Sequence, residues 1–161
     1  KIFTLFSELE ISQLSEEHSK APHQRLLQQT LALDITTRVH SKEDYDMAIK
    51  ASSILFGKGS TELLRSLNEK DFLSIFDGVP QFELERSEIE NGIGILDLLS
   101  DKTNFLSSKG EVRRAMKENS LSINQEKLTD PECSLGESNL LNDKYILAQR
   151  GKKKKFLIVF V

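Results

Sequence analysis

Apolar residues recur with the period of an α-helix through the first part of the chain. One side of a helix predicted over residues 22–40 is formed by Leu26, Leu27, Leu31, Ile35 and Val39. Pro22 stands at the first turn of this helix, where its fixed backbone angle is favourable. The other predicted helices are one opened by a capping box at residues 7–10, one opened by Ser41 with Asp44 and ended by Gly57 and Gly59, and two over residues 61–67 and about 69–76. The first part of the chain is therefore expected to be an α-helical bundle.

A segment at residues 79–94 interrupts this helical pattern. It combines Pro80 with polar residues and two glycines, a composition that is typical of turns and linkers. We therefore predict a domain boundary near residue 91. The first domain would comprise residues 1–91 and the second residues 92–161.

The second domain is predicted to mix helices with strands. A short apolar helix is expected at residues 95–99, and an amphipathic helix is expected at residues 108–118. The other predicted elements are a strand with Leu121 and Ile123, a turn at residues 124–127, a loop at residues 129–142, and a β-hairpin of residues 144–150 and 153–161. The chain is thus predicted to have an α+β fold, with an N-terminal α-helical bundle followed by a small domain of two helices and a short β-sheet or hairpin.

The composition is that of a folded protein whose charge is unevenly distributed. Of the 161 residues, 38% are hydrophobic and 29% are charged, which excludes an intrinsically disordered chain. The net charge is −3, but residues 1–91 carry 10 Lys and Arg against 16 Asp and Glu, whereas residues 92–161 carry 12 against 9. The second part is therefore the one suited to a polyanionic partner.

Cysteine content and hydropathy indicate a compartment for the protein. Cys133 is the single cysteine, so an internal disulfide is excluded and a reducing compartment is favoured. The longest apolar run, residues 156–161, is far shorter than the roughly 20 residues of a membrane-spanning helix. We therefore expect a cytoplasmic protein without a membrane partner. The first residue is Lys1 in place of Met, and we interpret the chain as a fragment of a longer protein.

The helix at residues 108–118 separates apolar from basic positions. Its apolar side carries Val112, Ala115 and Met116, and basic residues recur at every fourth position on another side. The candidate phosphate-contacting residues are the basic residues of this helix and of the hairpin turn: Lys109, Arg113, Arg114, Lys117, Lys152, Lys153, Lys154 and Lys155. Such cations neutralise nucleic-acid phosphates whatever the base sequence. The alternatives are an ordinary solvated helix face and, for the lysine tract, protection of a sheet edge against unwanted pairing.

Residues 95–99 and 107–124 give a further indication through the order of their elements. An apolar helix, a basic helix, an Asn119 turn and a strand follow one another, and this order resembles the alpha-L RNA-binding motif. The family pattern has Arg, Gly and Asn-Gly where this chain has Ile95, Asn119 and Gln125. The resemblance implies an RNA-binding fold for the second domain.

The first domain carries a resemblance of its own. Its matching residues are Glu17, His18, Ala21, Pro22, His23, Arg25, Leu31, Ala32, the stretch 37–40 and the stretch 55–57. They resemble the helical anticodon-binding region of bacterial tyrosyl-tRNA synthetases, in which an alpha-L domain follows at the C-terminus. The two resemblances in this order cover nearly the whole chain.

This joint resemblance implies a parent enzyme that activates tyrosine with ATP and Mg²⁺ and attaches it to its tRNA. The parent is expected to be a homodimer through its catalytic domain, whose HIGH and KMSKS signatures do not occur in this sequence. The chain alone would then be a monomer that binds tyrosine-accepting tRNA without catalysing and without a cofactor.

Other chemistry finds little support in the sequence. His18 and His23 lack the HExxH pattern of a helical zinc site, and no glycine-rich phosphate loop occurs. Cys133 has no neighbouring base that would make it a nucleophile. We therefore predict no metal site and no catalytic residue. Two other hypotheses remain open: a free-standing alpha-L protein acting on ribosomal or structured RNA, and an adaptor whose acidic bundle binds another protein.

Overall fold

The chain divides between Ser52 and Ser53 in the computed structural model, which describes residues 4–56, 60–151 and 154–161. One unit comprises Lys1–Ser52 and the other Ser53–Val161. This division differs from the predicted domains, residues 1–91 and 92–161. A boundary near residue 91 stays a prediction about independently folding parts.

Helices make up the first unit. They are α1 Glu8–Lys20, α2 Leu26–Val39 and the part of α3 Lys42–Phe56 that precedes Ser53. The capping box is confirmed, because the Ser7 hydroxyl accepts from the backbone N–H of Glu10 and the Glu10 carboxylate accepts from the N–H of Ser7 at 2.8 Å. Ser41 caps α3 through the N–H of Asp44 at 3.0 Å, also as predicted. The glycines that were expected to end α3, Gly57 and Gly59, lie outside the described residues.

The start of the second helix differs from the prediction. Pro22–Gln24 forms a separate 3-10 turn, and Arg25 follows with φ of 56° in the left-handed region. Because a left-handed residue cannot continue a right-handed helix, α2 begins only at Leu26. Pro22 therefore opens a single turn, and the helix that we expected from residue 22 is shorter.

The second unit mixes helices and strands. Its described helices are α4 Thr61–Arg65, α5 Glu69–Ile75, α6 Arg86–Glu90, α7 Ile95–Asp97 with a following π-helical turn Leu98–Lys102, and α8 Lys109–Lys117. Its described strands are β1 Gln81–Leu84, β2 Ile93–Gly94, β3 Leu121–Ile123, β4 Glu126–Lys127, β5 Ser134–Leu135, β6 Tyr145–Arg150 and β7 Lys154–Phe160. Five of these strands form a sheet in the order β1-β7-β6-β3-β4, and β2 pairs with β5. The predicted α+β class and the β6–β7 hairpin are confirmed.

The segment at residues 79–94, which was predicted to be a linker, contains a strand of the main sheet. β1 pairs in parallel with β7, so that Gln81 lies opposite Leu157. The backbone N–H of Arg86 donates to the carbonyl of Val161 at 2.8 Å, and its guanidinium pairs with Glu137 at 2.7 Å. The sequence-based interpretation of this segment as a linker missed the strand, because the strand is formed by distant pairing.

The core of the second unit lies between α8 and the sheet. The apolar side of α8 is buried as predicted, with Val112 and Ala115 fully enclosed and Met116 4% exposed. Other buried residues of this cluster are Leu98, Leu99, Phe105, Leu106, Leu121, Ile146, Ala148, Ile158 and Phe160. Burial on this scale fixes α8 to the sheet, so that its opposite side faces outward.

Candidate nucleic-acid interface

The first turn of α8 is held in place by polar contacts at its N-terminus. The Ser108 hydroxyl caps the helix by accepting from the N–H of Glu111 at 3.2 Å. The Glu111 carboxylate accepts from the N–H and hydroxyl of Ser107 at 2.9 and 2.7 Å, and it pairs with Arg150 on β6. The helix is therefore anchored to the sheet at the end from which its basic side begins.

These contacts predict an acid-sensitive contribution to stability. Hydrogen bonds from Ser107, and then the hydrogen bond from Arg150, lower the pKa of Glu111 from 4.5 to about 2. Because this folded-state pKa lies below the unfolded value, the stabilisation is fully present above about pH 4.5 and is lost as the pH falls toward 2. We expect the free energy of unfolding, measured in urea between about pH 2.5 and 6, to depend less steeply on pH in Glu111→Gln. Identical pH profiles for the two proteins would contradict this assignment.

Lys109, the first residue of the predicted basic stripe, is already paired. Its ammonium group contacts the carboxylates of Asp97 and Asp101, the second at 3.2 Å. Hydrogen bonds to these two carboxylates raise the pKa of Lys109. A phosphate would have to compete with two acidic side chains, so the geometry favours a structural role in which Lys109 ties α8 to α7 and the turn after it.

The remaining basic residues of α8 are free to meet an anion. Arg113, Arg114 and Lys117 are exposed, and within the described residues none of them has an ion-pair partner. Arg113 and Lys117 are four positions apart and therefore lie on the same side of the helix. The structure thus keeps three neighbouring cations together toward the C-terminal half of α8.

Two residues of the lysine tract contact the protein at the start of β7. Lys152 and Lys153 lie outside the described residues, whereas Lys154 and Lys155 are the first residues of β7. The Lys154 ammonium donates to the carbonyl of Phe105 at 2.6 Å and lies 4.9 Å from the centroid of the Phe105 ring. The ammonium group of Lys154 is therefore in contact with the protein.

Lys155 makes the more buried of these contacts. Its ammonium donates to the carbonyl of Leu55 at 2.5 Å, in the last turn of α3, where carbonyls lack a helical partner. Burial lowers the pKa of Lys155. The geometry favours neither phosphate contact nor edge protection for this residue, but capping of a helix C-terminus within the second unit.

A cleft opens beside the free cations of α8. Its volume is about 320 Å³, and its lining residues are Arg113, Met116, Lys117, Asn119, Thr129 and Pro131. Asn119 ends α8 with φ of 50°, as its tolerance of left-handed backbone angles predicted. Thr129 and Pro131 were not predicted as site residues, because the loop that carries them shows no periodic pattern and its charged residues are acidic.

The described parts of the chain contain neither a cluster of metal ligands nor a membrane-spanning helix. Among residues 4–56, 60–151 and 154–161, no group of three His, Cys, Asp or Glu side chains is placed to hold a metal ion. Over these same ranges, no helix combines the length and the apolar character that crossing a bilayer requires.

Comparison with known proteins identifies the family. A family model described as the SYY-like C-terminal domain of tyrosine–tRNA ligase matches residues 71–158. A Porphyromonas gingivalis protein named tyrosine–tRNA ligase is 50% identical over 159 residues, which are 99% of this chain and 37% of that protein. A Cytophaga hutchinsonii protein of the same name is 51% identical over 162 residues, covering 99% of this chain and 38% of its own length.

These matches agree in extent as well as in name. A Flavobacterium johnsoniae tyrosine–tRNA ligase is 47% identical over 158 residues, covering 98% of this chain and 36% of that protein. The chain thus spans less than two fifths of the length of the curated relatives that it matches. Because the family model matches more than half of the chain, the chain belongs to the family of tyrosine–tRNA ligase C-terminal domains, as the resemblance of its sequence predicted.

Proposed function

We propose that the chain is the tRNA-binding part of a tyrosine–tRNA ligase and that it holds tyrosine-accepting tRNA against the exposed side of α8. The observation that carries this proposal is the group of three unpaired cations, Arg113, Arg114 and Lys117, on a helix fixed by its apolar side. Family membership supports it, since the matching model describes the C-terminal domain of such ligases. Cations that are exposed and unpaired can neutralise backbone phosphates without first breaking internal ion pairs.

The reaction of the full-length protein follows from the same proposal. That protein would attach tyrosine to its tRNA with ATP and Mg²⁺ in the cytoplasm, as a homodimer. We assign ATP and Mg²⁺ to the catalytic domain of that protein, whose HIGH and KMSKS signatures do not occur in this sequence. The chain itself would be a monomer that binds tRNA without forming tyrosyl adenylate.

The competing hypothesis is a free-standing RNA-binding protein that acts on ribosomal or structured RNA. It would use the same cations of α8, so the geometry of the helix does not separate it from the first hypothesis. The names of the relatives favour the ligase, because proteins similar over 98–99% of this chain are called tyrosine–tRNA ligase. The adaptor hypothesis has no comparable support.

Direct binding to a tyrosine tRNA transcript tests the proposal. We expect the chain to bind the transcript without ATP or tyrosine, with a logarithm of affinity that falls linearly as the logarithm of salt concentration rises. Fluorescence anisotropy at several salt concentrations measures both quantities, and a transcript for another amino acid serves as the control. Equal affinity for both transcripts would favour the free-standing RNA-binding protein, and tyrosine-dependent pyrophosphate exchange by the chain alone would contradict the absence of catalysis.

A further inference from the structure

The cleft beside α8 has walls of more than one chemical kind. Met116 and Pro131 supply apolar surface, and Met116 is nearly buried, so the cleft reaches the edge of the core. Asn119 and Thr129 are exposed at its rim, where an amide and a hydroxyl can each donate or accept a hydrogen bond. Arg113 and Lys117 complete the lining with positive charge.

This combination matches the parts of a nucleotide. A base that has left its stack needs apolar or planar surfaces against its faces and hydrogen-bonding groups at its edge. The phosphate attached to it needs a cation nearby, and an Arg guanidinium can also stack on the base. A volume of about 320 Å³ is at the small end of ligand pockets, which suits one nucleotide better than a longer segment.

The position of the cleft links it to the cations that remain unpaired. Lys109, at the far end of α8, is neutralised by Asp97 and Asp101, whereas Arg113 and Lys117 line the cleft and have no ion-pair partner among the described residues. Positive charge is therefore concentrated where the apolar surface is open. An acidic peptide could satisfy the charges and the rim groups, but membership of a tRNA ligase family favours RNA as the occupant of this surface.

We propose that this cleft holds a single unpaired nucleotide of the bound RNA. The base lies against Met116 and Pro131, its edge meets Asn119 and Thr129, and its phosphate lies on Arg113 and Lys117. This inference rests on the proposed function, because it requires RNA on the surface of α8. The surface of α8 would then bind one unstacked base as well as duplex backbone.

Filling the cleft without changing its charge tests this inference. Thr129→Phe places a ring at the exposed rim, and we expect about a tenfold loss of affinity for the tyrosine tRNA transcript, because one base stack contributes about that factor or more. The slope of affinity against salt should fall by about one unit at most, since only the one phosphate of the displaced nucleotide can leave Arg113 and Lys117. Ser74→Phe is the matched control: it adds the same ring on the exposed side of α5, outside the cleft, and should bind as the unmodified chain does.

An abasic scan of the RNA completes the test. Each unpaired nucleotide of the transcript is replaced in turn by an abasic residue, and one replacement should weaken binding by the unmodified chain about tenfold. The same replacement should cause no further loss in Thr129→Phe. If Thr129→Phe does not fold by circular dichroism, Asn119→Gly takes its place, because Gly suits the φ of 50° while removing the rim amide, and a severalfold loss is expected.

The outcomes separate the two proposals. Salt-dependent binding by the unmodified chain, with Thr129→Phe equally tight or with no sensitive abasic position, overturns the nucleotide cleft and leaves tRNA binding in place. An undiminished tenfold loss for Thr129→Phe on the transcript with the sensitive abasic replacement also overturns it, because the ring would then not act by displacing the base. Failure of the unmodified chain to bind the transcript overturns both proposals together.

Discussion

Replacing Arg113, Arg114 and Lys117 together with glutamine is expected to weaken binding of tyrosine tRNA about a hundredfold at 0.15 M salt. Each of these exposed cations has no ion-pair partner in the described parts of the chain, so each can release counterions from one phosphate. The slope of log affinity against log salt should fall by about two to three units. Fluorescence anisotropy over a series of salt concentrations measures both quantities.

The matched control for this variant is Lys109→Gln. Lys109 is on the same helix, but its ammonium is held by Asp97 and Asp101, so its loss should lower stability slightly and leave the salt slope within about half a unit of its original value. The triple variant should remain folded, because Val112, Ala115 and Met116 are untouched and glutamine is a good helix former. Unchanged affinity and salt slope in a folded triple variant would mean that this surface is an ordinary solvated helix face.

Replacing Asn124 with alanine is expected to cost about 3 kcal/mol of the free energy of unfolding. This residue is 4% exposed, and its side-chain amide joins two segments: it accepts from the N–H of Leu147 at 2.9 Å and donates to the carbonyl of Asn139 at 2.6 Å. Alanine would leave the buried N–H of Leu147 and the part-buried carbonyl of Asn139 without these partners. It would also place a residue with a Cβ, and without the local hydrogen bonds of asparagine, at φ of 49°. Urea denaturation followed by circular dichroism measures the loss.

Asn104→Ala separates the backbone term from the hydrogen-bond term. Asn104 has the same φ of 49° but is exposed, so its replacement removes no buried partner. We expect that variant to lose about 1 kcal/mol, which is the cost of a left-handed angle alone. Equal losses in the two variants would mean that the amide of Asn124 contributes nothing beyond its tolerance of this angle.

Local sequence signals predicted the elements that depend on local interactions. The Ser7 capping box, the Ser41 cap and the amphipathic helix α8 were read from residues within a few positions of one another, and the structure confirms them. Strand β1 was missed because it has four residues, its apolar positions are only half-buried, and its partner is β7. A strand of this kind is defined by a distant segment, and no pattern within it gives a strong signal.

Local sequence signals were also insufficient to predict which residues of the site are available for binding. The spacing of Lys109, Arg113 and Lys117 predicted one continuous basic stripe, but the spacing could not show that Asp97 and Asp101 would fold against the first of them. Lys155 was predicted to contact phosphate or to protect a sheet edge, and it contacts the carbonyl of Leu55, about 100 residues earlier in the sequence. Tertiary packing decides which cations are free to bind an anion. The residue types and spacing within one helix do not show that packing.

The place of β7 in the main sheet has a consequence for the order in which the second unit folds. Because β7 lies between β1 and β6, β1 has no neighbour in the sheet until the segment at residues 154–160 has been synthesised. Contacts so far apart in sequence carry a large loop-closure entropy and form slowly. During synthesis on the ribosome, residues 81–84 would therefore remain unpaired while α8, β3 and β6 assemble. Their docking beside β7 would be a late event, and until it occurs the exposed edge is open to aggregation or to chaperones.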